Sequence, residues 1–134
     1  MMDAKLKHME LIQAVTNRMA ANSFLLKGWS VTLAAGLFAF AAKDANPKLI
    51  VIAYYPVLIF WVLDGYFLSQ ERLFRALYDK VRKTPESDID FSMDTIEFRT
   101  GRNGWLASVF SITLIVFYDT VLVAMLVLAR YLVH

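Results

Sequence analysis

Few side chains in this 134-residue chain could do chemistry, and Asp119 is the first of them. It lies near the middle of Trp105–Arg130, an apolar run long enough to cross a bilayer. A carboxylate at membrane depth costs on the order of 3 kcal/mol even on the lenient insertion scale. Such a residue faces a partner helix, a water-filled cavity or a pore. At about 100° per residue, Ser108 and Arg130 fall within about 20° of Asp119 on a continuous helix. Ile112, Ile115, Val116, Leu122, Val123 and Leu126 fill the same face. With that face turned inward in a symmetric oligomer, Asp119 makes a ring and the aliphatic layers a constriction. Acid rings favour cations, and apolar constrictions gate by dewetting. The alternative is structural, with Asp119 bonded to a neighbouring Thr or Tyr hydroxyl.

The second candidate is a pair. Lys27 and Asp64 lie eighteen and nineteen residues from a turn near Ala45, so an antiparallel hairpin brings them to one depth. Trp29 and Trp61 fall in the same layer by the same count, near the cytoplasmic face. This reads either as an interfacial belt with a salt bridge or as a gating or sensing element. Next to it, Gly28, Thr32 and Gly36 form a small-residue ridge that lets helices approach closely. The ridge can serve the hairpin or a neighbouring subunit.

The third candidate is an acidic run, Thr84–Thr100, carrying Glu86, Asp88, Asp90, Asp94 and Glu97. Its alternation of Ile89, Phe91 and Met93 with polar residues suggests a short extended piece lying on the helices. Asp88, Asp90, Ser92 and Asp94 have the spacing that opens a calcium loop. Met93 stands at the glycine position and Arg99 at the final carboxylate, so the loop fails. The run reads as a solvated connector or as a docking surface for a soluble partner.

Other chemistry finds no support. There is no cysteine, and the two histidines, His8 and His134, stand at opposite ends of the sequence. No phosphate loop, zinc motif or nucleophile elbow occurs. We expect no enzyme, no cofactor and no metal. A net charge of +2 does not argue for nucleic acid.

The elements that position these residues follow from composition. The chain is 58% hydrophobic and 19% charged, below the ~25% charged residues of soluble domains. Three apolar stretches, 23–42, 48–68 and 104–133, each approach the ~20 residues that span a ~30 Å core. Residues 1–22 form an amphipathic helix that we expect to be retained, with Leu6, Met9, Ile12 and Met19 along one side. Residues 69–83 continue the second span without Gly or Pro, with Phe67, Phe74, Leu77, Tyr78 and Val81 as an apolar stripe. Residues 84–103 connect to the third span. Eleven of the fourteen Lys and Arg residues fall on the side of the N-terminus and the 69–103 connection. The positive-inside rule then places the N-terminus in the cytoplasm and the C-terminus outside. The expected fold is an all-α integral membrane protein with three transmembrane helices, the first two forming a long antiparallel hairpin that extends into the cytoplasm.

At Asn17–Leu33 (NRMAANSFLLKGWSVTL) and Phe60–Arg82 (FWVLDGYFLSQERLFRALYDKVR) the chain resembles a family of small bacterial membrane proteins. Members are encoded beside proteins with TIR-like domains, as in two-gene antiphage defence modules. The resemblance implies an inner-membrane location and a soluble TIR-like partner. It implies no functional residues. Two functions stay open. One is a homo-oligomeric effector that permeabilises or depolarises the membrane when a partner triggers it. The other is an anchor or scaffold that recruits a partner without a pore.

Overall fold

Helix formers and spaced apolar residues dominate the chain from the start, and the outcome is 89% helix with no strand among the described residues. The structure is a computed structural model describing residues 2–44 and 47–133. Two long helices come first, α1 (Met2–Asp44) and α2 (Pro47–Lys83). A short helix α3 (Trp105–Val109) and a longer one, α4 (Ile112–Val133), follow the return segment. The turn expected near Ala45 lies outside the described residues, as does His134; Pro47 opens α2 as expected of a proline at a first helical position. Helices α1, α2 and α4 contain stretches long and apolar enough to cross a membrane.

Contacts at two levels make α1 and α2 antiparallel. Lys27 meets Asp64 midway, and Lys5 meets the far end of α2. The apolar half of the pair is held by Ala34, Phe38 and Ala41 against Ile50, Ala53 and Val57, with Leu114, Tyr118 and Met125 of α4 completing the core. Small residues at this seam let the backbones approach closely. The other half, a stalk, packs Ile12 against Leu77 and Val81 with Met9, Phe74 and Tyr78 around them. Most of the apolar stripe read from the sequence therefore faces inward, whereas Leu6 is exposed. Lys5 Nζ donates to the carbonyls of Arg82 and Thr84 at 3.2 and 2.9 Å, satisfying acceptors that the end of α2 leaves open.

The return segment departs from the extended piece that its alternation suggests. It makes single 3-10 turns at Glu86–Asp88, Ile96–Phe98 and Gly101–Asn103. Asp90 accepts from Ser92 N–H, Ser92 from Asp94 N–H and Asp94 from Ile96 N–H, each at 3.0 Å. These local side-chain bonds give the backbone an alternative to extension. Ile89 and Phe98 pack on the stalk core, while Phe91 and Met93 are exposed. Phe91 takes a left-handed φ of 58°, and the edge of its ring meets His8 at 5.4 Å between centroids.

The third span also differs from the single helix expected over 104–133. It breaks at Phe110–Ser111, between α3 and α4. Ser111 precedes the first residue of α4, and its hydroxyl lies 3.5 Å from the Leu114 amide, in the place of a capping serine.

Candidate functional site: a buried carboxylate joining three helices

Asp64 is fully buried where α1, α2 and α4 meet. One carboxylate oxygen accepts from Ser23 Oγ. The other accepts from Lys27 Nζ at 2.7 Å and Tyr118 OH at 2.9 Å. Lys27 Nζ also donates to Ser23 Oγ at 2.8 Å and sits 5.8 Å from the centre of the Phe117 ring. An ionised carboxylate is acceptor-only, and here every neighbour donates. Removing it from water is costly unless it is paired and hydrogen-bonded in this way. The arrangement makes Asp64 a clasp: one side chain of α2 holds two of α1 and one of α4.

A ring of aromatics fixes the clasp. Trp61 stacks on Tyr118 with centroids 5.6 Å apart and planes 4° from parallel. Its Nε1 donates to the Val109 carbonyl at 2.8 Å, an acceptor freed where α3 ends. Trp105 Nε1 donates back to the Val62 carbonyl at 3.1 Å. Gly65 permits this approach, because a Cβ there would stand 2.9 Å from Val109 Cα. The helix break, the glycine and the two indoles thus set the azimuth at which Tyr118 reaches Asp64.

The Lys27–Asp64 contact is the pair expected from the hairpin count. The two tryptophans beside it separate: Trp61 points into the bundle, and Trp29 is exposed. Ser23 and Tyr118 escaped the sequence reading. Ser23 carried a signal, since it lies one helical turn before Lys27 on the same face. Tyr118 carried none, because the azimuth of the third span depends on a break that the helical wheel did not include.

Asp119, next to Tyr118, is exposed, and among the described residues it makes no hydrogen bond or ion pair. The hydroxyl partner considered for it is therefore not found, and Tyr118 serves Asp64 instead. Ile112, Val116, Val123 and Leu126 are exposed with Asp119, while Ile115 and Leu122 are half-buried. Ser108 does not belong to that face: it sits in α3 and is fully buried, because the break resets the register. In depth, Tyr118 OH reaches the level of Asp64 and Phe60, about 24 and about 18 Å from Lys48 at ~1.5 Å per residue.

The ridge of Gly28, Thr32 and Gly36 faces away from α2, and a Cβ added at either glycine meets nothing within 4 Å. The hairpin does not use it. Of the acids in the return segment, Asp88, Asp90, Asp94 and Glu97 line a shallow pocket over Val81 and Ile89, and Glu86 stands outside it. Glu97 pairs with Lys80 at 2.6 Å. That hydrogen bond holds the Lys80 ammonium above its ordinary pKa.

No family model matches the chain, and neither a curated protein nor a solved structure matches it.

Proposed function

We propose that the chain is a homo-oligomeric membrane effector that permeabilises or depolarises the bacterial inner membrane when a cytoplasmic partner acts on its stalk. The observation that carries this reading is Asp119: a carboxylate exposed on the outer face of an otherwise apolar helix. Lipid cannot satisfy it, and a protein neighbour or a water-filled pore can. A second copy is the occupant that accounts for both outer faces of the bundle. Through the Lys27–Asp64 register, Thr32 stands opposite Ile59 of α2, within about one helical turn of the level of Asp119. Asp119 and the Gly28–Gly36 ridge belong to different surfaces of one chain, so their pairing is head-to-tail, the arrangement that closes into rings. The exposed Trp29 indole supplies an N–H donor on the same side of α1. The resemblance noted at Asn17–Leu33 and Phe60–Arg82 supports a role in antiphage defence with a soluble TIR-like partner, and the acidic return segment is the surface offered to it. The Lys and Arg distribution supports a cytoplasmic N-terminus and an external C-terminus.

The alternative, an anchor or scaffold without a pore, is favoured by the clasp itself, which ties the three spans together around a fully satisfied carboxylate. Dye and ion leakage from vesicles holding the reconstituted protein and its partner separates the two. Leakage that Asp119→Ala changes supports the effector. No leakage from well-folded oligomer, with recruitment of the partner intact, supports the anchor.

A further inference from the structure

A pocket of about 300 Å³ lies where the stalk meets the apolar half, between α2 and the end of the return segment. Its walls are tied by bonds that use their own polar atoms. Ser69 Oγ donates to the Asn103 carbonyl at 2.7 Å, and Asn103 Nδ2 donates to the Phe98 carbonyl at 3.1 Å. Trp105 spends its N–H on Val62 and sets its ring edge-on to Tyr66 at 6.2 Å. Among its lining residues, in a wall that is largely apolar, Arg99, Gln70 and Tyr66 carry donor groups that make no side-chain hydrogen bond among the described residues. Arg99 is exposed and has no ion-pair partner among the described residues, and no carboxylate lines the pocket. Leu106, next to Trp105 in α3, and Phe110, at the break that follows α3, present apolar side chains that are 74% and 63% exposed.

We propose that this pocket binds the phosphate of an anionic phospholipid headgroup. A guanidinium presents a planar fork that matches phosphate oxygens in a bidentate way, and amide and phenol donors suit the remaining oxygens and the glycerol hydroxyls. Trp105 and Tyr66 mark the level of the headgroups, where amphipathic rings settle. Basic pockets at that level on the cytoplasmic side recognise anionic lipids. Leu106 and Phe110 then lie along the acyl chains. The lipid bridges α2 to the return segment through Arg99 and couples the stalk to the membrane. The inference rests on insertion in a bilayer and not on the pore.

The test is native mass spectrometry of the full-length protein in detergent, with phosphatidylglycerol, phosphatidylcholine or free sn-glycerol 3-phosphate added. Both lipids carry the phosphate, and choline sets a cation beside the Arg99 guanidinium and offers no hydroxyl, so phosphatidylglycerol adducts should exceed phosphatidylcholine adducts by about tenfold. Arg99→Gln should bring them to the phosphatidylcholine level, while Arg75→Gln, a stalk residue paired with Glu71 at 2.8 Å, should leave them unchanged. Equal adducts of both lipids, or adducts that survive Arg99→Gln, overturn the proposal. Free glycerol phosphate bound as well as phosphatidylglycerol overturns the lipid as ligand and leaves a soluble phosphate site. Carbonate extraction of cell membranes reports separately on insertion, so a protein that is not membrane-embedded is told apart from an embedded one that lacks the lipid site.

Discussion

Asp64 and Tyr118 are joined by a 2.9 Å hydrogen bond that fastens the last long helix to the hairpin. The same carboxylate oxygen takes Lys27 at 2.7 Å, so the link between α2 and α4 and the link between α1 and α2 share one atom. The polar links from α1 and α4 to α2 thus converge on a single buried group, beside the apolar core that the three helices share.

Losing one partner of that group should cost more than losing both. Lys27→Met leaves Asp64 as an uncompensated buried charge, a loss of about 3–5 kcal/mol. Lys27→Met combined with Asp64→Leu should recover much of it, because apolar replacements of a buried pair are often neutral. Denaturant titration in detergent reads both. A double variant no more stable than Lys27→Met would count against the clasp.

Tyr118→Phe removes the hydroxyl and keeps the ring stacked on Trp61. The expected loss is about 1.5–3 kcal/mol, the range for a hydrogen bond to a charged group. It should loosen α4 selectively, seen as faster amide exchange in 112–125 than in the hairpin. Uniform exchange throughout would argue that α4 is held by apolar contacts alone.

Gly65→Ala places a methyl against Val109, and overpacking of this kind costs about 1–3 kcal/mol. Gly36→Ala meets open space in the single chain and should leave monomer stability unchanged. If the α1 ridge is a subunit contact, Gly36→Ala instead lowers the oligomer fraction in light scattering. A Gly65→Ala variant as stable as the parent would show that α3 can shift away.

The natural absence of cysteine makes the subunit contact easy to map. Two chains, one with Thr32→Cys and one with Val123→Cys, should cross-link when co-expressed. Each chain carries one thiol, so any product is intermolecular. Cross-links only between like variants would replace head-to-tail pairing with a two-fold one. No cross-link together with a monomer mass would remove the oligomer altogether.

Asp119→Asn keeps shape and removes the charge. Because Asp119 is exposed and unpaired in the single chain, folding should change by less than about 0.5 kcal/mol. Cation over anion selectivity in planar bilayers should fall if acids ring a pore. Unchanged selectivity with intact flux would place the pore on another face.

Patterns that depend on one helix, or on two joined by a short turn, were legible in the residues alone. Hydrophobic length marked the three apolar helices, unbroken helix formers carried α1 and α2 into the stalk, and counting from the turn paired Lys27 with Asp64. Local spacing suffices there because helix periodicity and antiparallel register are rigid. The placement of Tyr118, Ser108 and Asp119 was decided only in three dimensions. It depends on the azimuth of α4, set by the break at Phe110–Ser111 and by the close approach of Gly65 to Val109. A single interrupted turn rotates every residue beyond it, so a wheel drawn through the break grouped a buried serine with an exposed acid. The return segment failed for a related reason: the hydrogen bonds of Asp90, Ser92 and Asp94 outweighed the alternation of their neighbours. Asp119 drew attention as the costly charge, and the fold gave the buried, three-helix role to Asp64.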